Sequence, residues 1–559
     1  MRRLPAPVVP LLPLALLCAC PAKPAVVEPE PIAQPSDAEP KPDLPGLTIE
    51  LLREHTRALS TDELGGRLPG SEGGKKTVEY IIAQMQGLGL EPGGTDGSWT
   101  QTVRMRGVTV DQAATTLELR GKRGKPMPMT FGETWVGSSF AAGTEHPIDA
   151  ELVFLGYGIT APDQEWDDYG KLDVEGKIVV VFVGDPPVED GRFGGKAMTY
   201  YGRWGYKYEA ALAAGAAGCL VIHEDEPASY AWNVPKTSFS SERFSLLDAD
   251  GQPAESLGVQ GWITAQTADA IAKRSGKSLA QWHELAMKPD FKPFALGLRA
   301  QGKVVTTEKI VEDVNVLGRL PGNKQPDQAV ILTAHWDHLG TDQKLEAAGE
   351  DGIHNGAIDN ASGIATMLGV AAELRRGEPL DRSVVFLATT AEEQGLLGSR
   401  HYVANPTVPH ADIVAIVNLD SMNVNGRTKQ VEVVGFGQTT LEDILADLAA
   451  KQGRTVVGDS HPEAGSFYRS DHLPFARVGI PALYFHSSLD MVDGGLEAGE
   501  QLRAGIKQRY HTPADEFDES WSFAGALEDA QLVVGVVQAV AVEGATPAYK
   551  PGSEFAGLR

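Results

Sequence analysis

From Asn315 onward the sequence alternates between short apolar runs and longer amphipathic ones, a rhythm that few folds can satisfy. The apolar runs AVILTA, SVVFLATT, DIVAIVNL, VEVVGF and PALYF have strand length and are rich in β-branched and aromatic residues. Between several of them, ASGIATMLGVAAELRRG, LLGSRHYVAN and TLEDILADLAAKQG read as helices. Strands with no polar face have to be covered on both sides, which crossover helices achieve and hairpins do not. The expected fold class is therefore α/β, a mostly parallel central sheet with helices on both faces.

This pattern occupies residues 300–545. Residues 47–130 are assigned to the same domain, with helices in LTIELLREHTRALS and KKTVEYIIAQMQGLGLEPGG and strands in TQTVRMRGVTV and TTLELR. Between 131 and 299 the texture changes to β-rich runs bounded by turn residues, AELVFLGYGI and GKIVVVFVGDPP, followed by the helix, glycine break and strand of YKYEAALAAGAAGCLVIH. That block reads as a separate inserted domain, and its His146, His223 and His283 lie far apart among ordinary core or loop residues. Residues 546–559 contain Pro and Gly and read as a loose tail.

The amino terminus reads as an export signal. Arg2 and Arg3 precede an apolar stretch, Leu11 to Leu17, that falls short of the roughly 20 residues a membrane span needs. Leu17-Cys18-Ala19-Cys20 resembles a bacterial lipobox, so residues 1–19 are expected to be a signal peptide and Cys20 the acylated first residue of the mature chain. A secretory signal cleaved near Ala19 or Ala22 is the alternative. Residues 20–46 are Pro-rich and form an extended tether. Pro21 is not the Asp that commonly retains lipoproteins at the inner membrane, so an outer-membrane anchor facing the periplasm or the cell surface is expected. A net charge of −26 argues against a nucleic-acid partner, and three cysteines exclude both a disulfide framework and zinc held on several thiolates.

The chemistry gathers where the apolar runs end. AVILTA leads into His335-Trp336-Asp337, SVVFLATT into Ala391-Glu392-Glu393, and DIVAIVNL into Asp420. In open α/β sheets functional groups collect outside the carboxyl ends of the strands. Asp359 in GAIDNASG and His511 in RYHTPAD sit on connections that can reach the same crevice. Taken singly, each has a plain structural explanation: a hydrogen-bonded histidine, a helix N-cap, a favourable charge at a helix start. Together, two imidazoles and three carboxylates without thiolate suit Zn²⁺, with Mn²⁺ or Co²⁺ as substitutes. Five ligands exceed what one catalytic zinc uses and fit two metals about 3.5–4 Å apart sharing a carboxylate.

The segments HWDHLG, NGAIDNASG, TTAEEQGLLGS, VNLDSMN, SDHLPFARVGIPAL and YHTPADEFD, in this order, resemble the co-catalytic di-zinc aminopeptidases, in the exopeptidase clan that also holds glutamate carboxypeptidases. The entry DELGGRLPGSEGGKKTVEYIIAQ is similar to that family's first helices, and residues 150–187 with GAAGCLVIHEDEPASY are similar to its inserted protease-associated (PA) domain. The resemblance implies a zinc exopeptidase (phosphorylase/hydrolase-like) sheet. It also implies one zinc on His335 and Asp420, a second on Glu393 and His511, and Asp359 bridging both. It makes Glu392 the general base, and Asp337 a carboxylate orienting an imidazole. The implied substrates are peptides with a free amino terminus, attacked by metal-activated water.

Ile358 stands where many relatives have Asp, at a position that is not a ligand. Tyr468, before Ser470-Asp471-His472, is open as an oxyanion donor, and Asp515 as a supporting carboxylate. His338 and His472 read as structural or pocket-lining. A glutamate carboxypeptidase is the alternative within the clan and would need a cationic clamp, for which Arg427, Arg469 and Arg477 are available. Glutaminyl cyclases share the fold with a single zinc, and the retained His335 argues against them. A catalytically silent peptide-binding lipoprotein is the remaining reading. TYYGRWGYKYE at 199–209 is either a substrate-limiting contact or plain interdomain packing.

Overall fold

The computed structural model describes residues 46–122, 124–188 and 192–559. The signal-like segment, Cys20 and nearly all of the tether lie outside them. No helix among the described residues is long and apolar enough to cross a membrane.

Four parallel strands form the middle of the main sheet, in the spatial order Arg382–Thr389, Gln325–His335, Ile413–Asn418, Ala482–Ser487. Antiparallel strands flank them, Gln430–Val433 beyond Ala482–Ser487 and residues 316–320 of Phe294–Leu320 beyond Arg382–Thr389. The period of two explains why the apolar runs are continuous. Val330, Leu332 and Ala334 enter one core, under helices Ile49–Leu59, Ser362–Arg376 and Ala524–Val540. Ala329 and Ile331 enter the other, under Leu397–Ala404 and His472–Ala476. The first of the four strands in sequence lies between the second and the third. The direction of winding therefore reverses between Gln325–His335 and Ile413–Asn418, and the carboxyl ends of that pair open a crevice.

A second sheet runs in the order Met127–Met129, Thr116–Gly121, 294–305, Glu145–Phe154, Ile178–Phe182, Gly218–His223, Val259–Thr264, Trp135–Ser138. It has apolar cores of its own on its two faces. Phe294–Leu320, 27 residues long, belongs to both sheets and couples them.

The carboxyl-terminal residues differ from the loose tail expected. Phe555 is 3% exposed and stacks on Phe467, the Tyr549 hydroxyl donates to Ile480 O, and Arg559 Nη2 donates to Ile413 O. Aromatic residues spaced along a Pro/Gly segment anchor it without any regular periodicity. Phe555→Ala should therefore destabilise the protein by about 3–5 kcal/mol in urea unfolding, and a loss below about 1 kcal/mol would contradict the docking.

Candidate metal centre

The crevice at the winding reversal collects the residues at the strand ends. His335 closes Gln325–His335, and Asp420 follows Ile413–Asn418 by two residues. Glu392 and Glu393 come from the turn after Arg382–Thr389, where Ala391 takes a left-handed conformation (φ 53°). Asp359 arrives on the irregular turn entering Ser362–Arg376, next to a cis peptide bond to Asn360, and His511 follows Gly495–Arg509.

His335 Nε2 lies 3.2 Å from Asp359 Oδ1 and 3.5 Å from Asp420 Oδ1. His511 Nε2 lies 3.3 Å from Asp359 Oδ2 and 3.0 Å from Glu393 Oε2. Ligand atoms about 2.0–2.1 Å from a tetrahedral zinc stand about 3.3 Å from one another, so these separations suit such an ion. The two oxygens of Asp359 face different histidines. His335, Asp359 and Asp420 could hold one metal ion. His338, Asp359 and Glu393 form a further possible ligand set, and His335, Glu392 and Glu393 another.

Charge coupling in the cluster is strong. Burial opposes ionisation of Asp359, yet His335 and His511 hold its carboxyl well below the usual range. Burial also opposes ionisation of Glu393, which His511 and His338 keep down at about 2. Glu392, 8% exposed, is pushed well above the ordinary range by burial and by Glu393, Asp420 and Asp471, with His335 opposing. Adjacent glutamates are thus held in opposite protonation tendencies by their surroundings.

Asp337 stands beside both His335 and Glu392. Its Oδ1 accepts the Glu392 backbone N–H at 3.0 Å, while the His335 Nδ1 contact goes to the Asp337 carbonyl oxygen at 3.2 Å. The carboxylate stands 3.9 Å from that nitrogen, and burial pushes it up to about 8. Asp337 therefore positions the Glu392 turn. Asp515 is buried and accepts the backbone N–H groups of Ile358 and Asp359 at 3.1 Å, fixing the shared carboxylate. Ser470 Oγ donates to Asp420 Oδ2 at 2.7 Å.

Four residues come out differently or were missed. His338 does more than line the pocket: its Nδ1 is 2.6 Å from Glu393 Oε1 and its Nε2 is buried without a partner. The signal was its place three residues after His335, on the same loop. Tyr468 donates its hydroxyl to Glu554 and is spent there. Tyr484, paired in register with Asn418, instead meets the charges of Asp420, Asp359 and Glu392. Arg67, 1% exposed, donates to the carbonyl oxygens of Leu59, Trp336, Asn355 and Gly356, tying the His335 loop to the Asp359 turn. Burial pushes its guanidinium down to about 10. Arg67→Ala would leave several buried carbonyls unpaired, with an expected loss of about 3–5 kcal/mol in urea unfolding. Arg67→Lys should not restore it, because an ammonium cannot reproduce the planar fork.

Residues 315–534 match the family description of peptidase family M28. A probable zinc metalloprotease of Pyrenophora tritici-repentis is 26% identical over 178 residues, 31% of this chain and 36% of the relative. Aminopeptidase YwaD of Bacillus subtilis is 25% identical over 357 residues, 62% of this chain and 58% of the relative. The chain thus spans well under two thirds of either curated relative. An aminopeptidase from Aneurinibacillus sp. strain AM-1 shares the fold, with a TM-score of 0.50 at 20% identity over 91% of this chain and 95% of that one. Residues 315–534, which carry every residue of the histidine–carboxylate cluster, are thus similar to peptidase family M28.

Proposed function

We propose that the protein is a zinc-dependent aminopeptidase whose crevice takes two metal ions. Asp359 carries this reading, because each of its oxygens faces a different histidine–carboxylate pair. His335 and Asp420 would hold one ion, Glu393 and His511 the other, and Asp359 both, with Mn²⁺ or Co²⁺ able to substitute. When bound, the metal pair supplies Lewis-acid charge for the scissile carbonyl and makes water more acidic. Glu392 takes a proton from the attacking water and returns it to the departing amine. Asp337 keeps the Glu392 turn in place.

Two of the three arginines open to a carboxypeptidase reading are engaged. Arg427 pairs with Glu528 at 2.6 Å and Arg477 with Glu209 at 3.2 Å. A silent binding protein has no need of the complete ligand set. The test is mass spectrometry of matched short peptides with free and acetylated amino termini, incubated with the zinc-loaded protein. Shortening of the free amino terminus alone is expected. Trimming from the carboxyl end regardless of acetylation would overturn the aminopeptidase reading.

Residues 131–299 are proposed to be an inserted protease-associated domain that restricts the crevice to short peptides. Its segment 199–209 packs on the catalytic part, with the Tyr200 and Tyr468 rings 5.9 Å apart and Arg477 donating to the Tyr200 hydroxyl at 2.9 Å. The protein is further proposed to be an exported lipoprotein anchored at Cys20. Cys20→Ala should release it from membranes, and continued acyl labelling would move the anchor to Cys18.

A further inference from the structure

One imidazole of the cluster has no part in the two-ion arrangement. His338 is wholly buried, at 0% exposure, on a loop that is tied down from several sides. Its backbone N–H donates to Arg67 O at 3.3 Å, and Arg67 Nε in turn donates to Trp336 O at 2.8 Å. Gly356 (φ 56°) leaves room for the ring, since a Cβ there would come within 2.6 Å of His338 Cδ2. The ring is thereby fixed with Nδ1 on Glu393 Oε1 at 2.6 Å, while Nε2 is enclosed without a partner. His511, the imidazole on the other oxygen of Glu393, is placed differently. Its side chain is 34% exposed, and it follows Gly495–Arg509, a helix on which only Gly499 is buried.

Glu393 therefore has one imidazole on the solvent side and one anchored on the buried side, with ring centroids 5.8 Å apart. Donor atoms of His338, Asp359 and Glu393 lie within 4.8 Å of one another, a set that could hold an ion without His511. A side chain already held by its surroundings loses little rotamer entropy on ligation. Zinc, with a filled d shell, exchanges one imidazole for another without a geometric penalty of its own. We propose that His338 is a reserve ligand for the ion at Glu393: when His511 leaves, Nδ1 of His338 takes its place and the ion stays on Asp359, Glu393 and His338. This rests on the two-ion reading above. Ligation uses the Nδ1 lone pair, so the ring proton then sits on Nε2. His511 is set apart in this way from His335 and Asp420, whose loss empties a position.

The test counts metal in the full chain by mass spectrometry after equilibrium dialysis against zinc. The parent and His511→Ala should each hold about two ions per chain, and His511→Ala/His338→Ala about one. His338→Ala alone should keep both, with the second held about 10- to 100-fold more weakly because Glu393 loses its partner. One ion in His511→Ala beside two in the parent overturns the proposal and leaves the paired centre standing, whereas one ion in the parent overturns both. Two ions in the double variant also overturn it, because water is then the substitute. A second readout does not depend on the folding of the double variant. In cobalt-loaded His511→Ala, proton NMR should show metal-shifted imidazole N–H signals from both His335 and His338. A signal from His335 alone overturns the proposal.

Discussion

Glu392→Gln should leave the metal content of the protein unchanged and lower kcat by about 10²–10⁴-fold, the usual contribution of a positioned general base. The substitution preserves volume and the backbone N–H bond to Asp337, so the turn keeps its shape. It removes the only property that the mechanism asks of this residue, a carboxylate that can accept and return a proton. Glu392 is buried beside His335 and Glu393, while Glu393 is occupied by His511 and His338. The neighbour therefore cannot take over. A kcat within about tenfold of the parent's, a loss under about 1.4 kcal/mol in barrier, would remove Glu392 from the reaction.

Asp359→Asn has the second large effect, and a different signature. Loss of a ligand that serves one ion would empty one position, but Asp359 faces both histidines, so both ions should be lost together. Carboxamide lacks the charge that offsets two cations and the second anionic oxygen that would bridge them. Turnover should fall with metal content, and added zinc should restore little. A variant that keeps both ions through dialysis would refute the shared carboxylate.

The sheet and most of the cluster could be read before any coordinates because both follow from punctuation. Apolar runs such as AVILTA and DIVAIVNL stop at His335 and Asp420, and a strand end in a parallel sheet is a fixed place in space. Asp359 and His511 lie on irregular connections, where no strand end fixes their place in advance. Helix Ala524–Val540 passed unmarked because it is buried almost all round, which erases the 3.6-residue stripe. Gly495–Arg509 passed unmarked for the opposite reason, since only Gly499 on it is buried. Arg67 was invisible because nothing in GRLPGSEGG shows that a loop arginine will collect carbonyl oxygens from Leu59 and from three residues far along the chain.

Metal analysis of the purified, dialysed protein by inductively coupled plasma mass spectrometry tests the central claim most directly. The shared position of Asp359 predicts about two zinc ions per chain, released together as zinc is chelated. A plateau at one ion, or stepwise release with Asp359→Asn retaining the second, would contradict the paired centre.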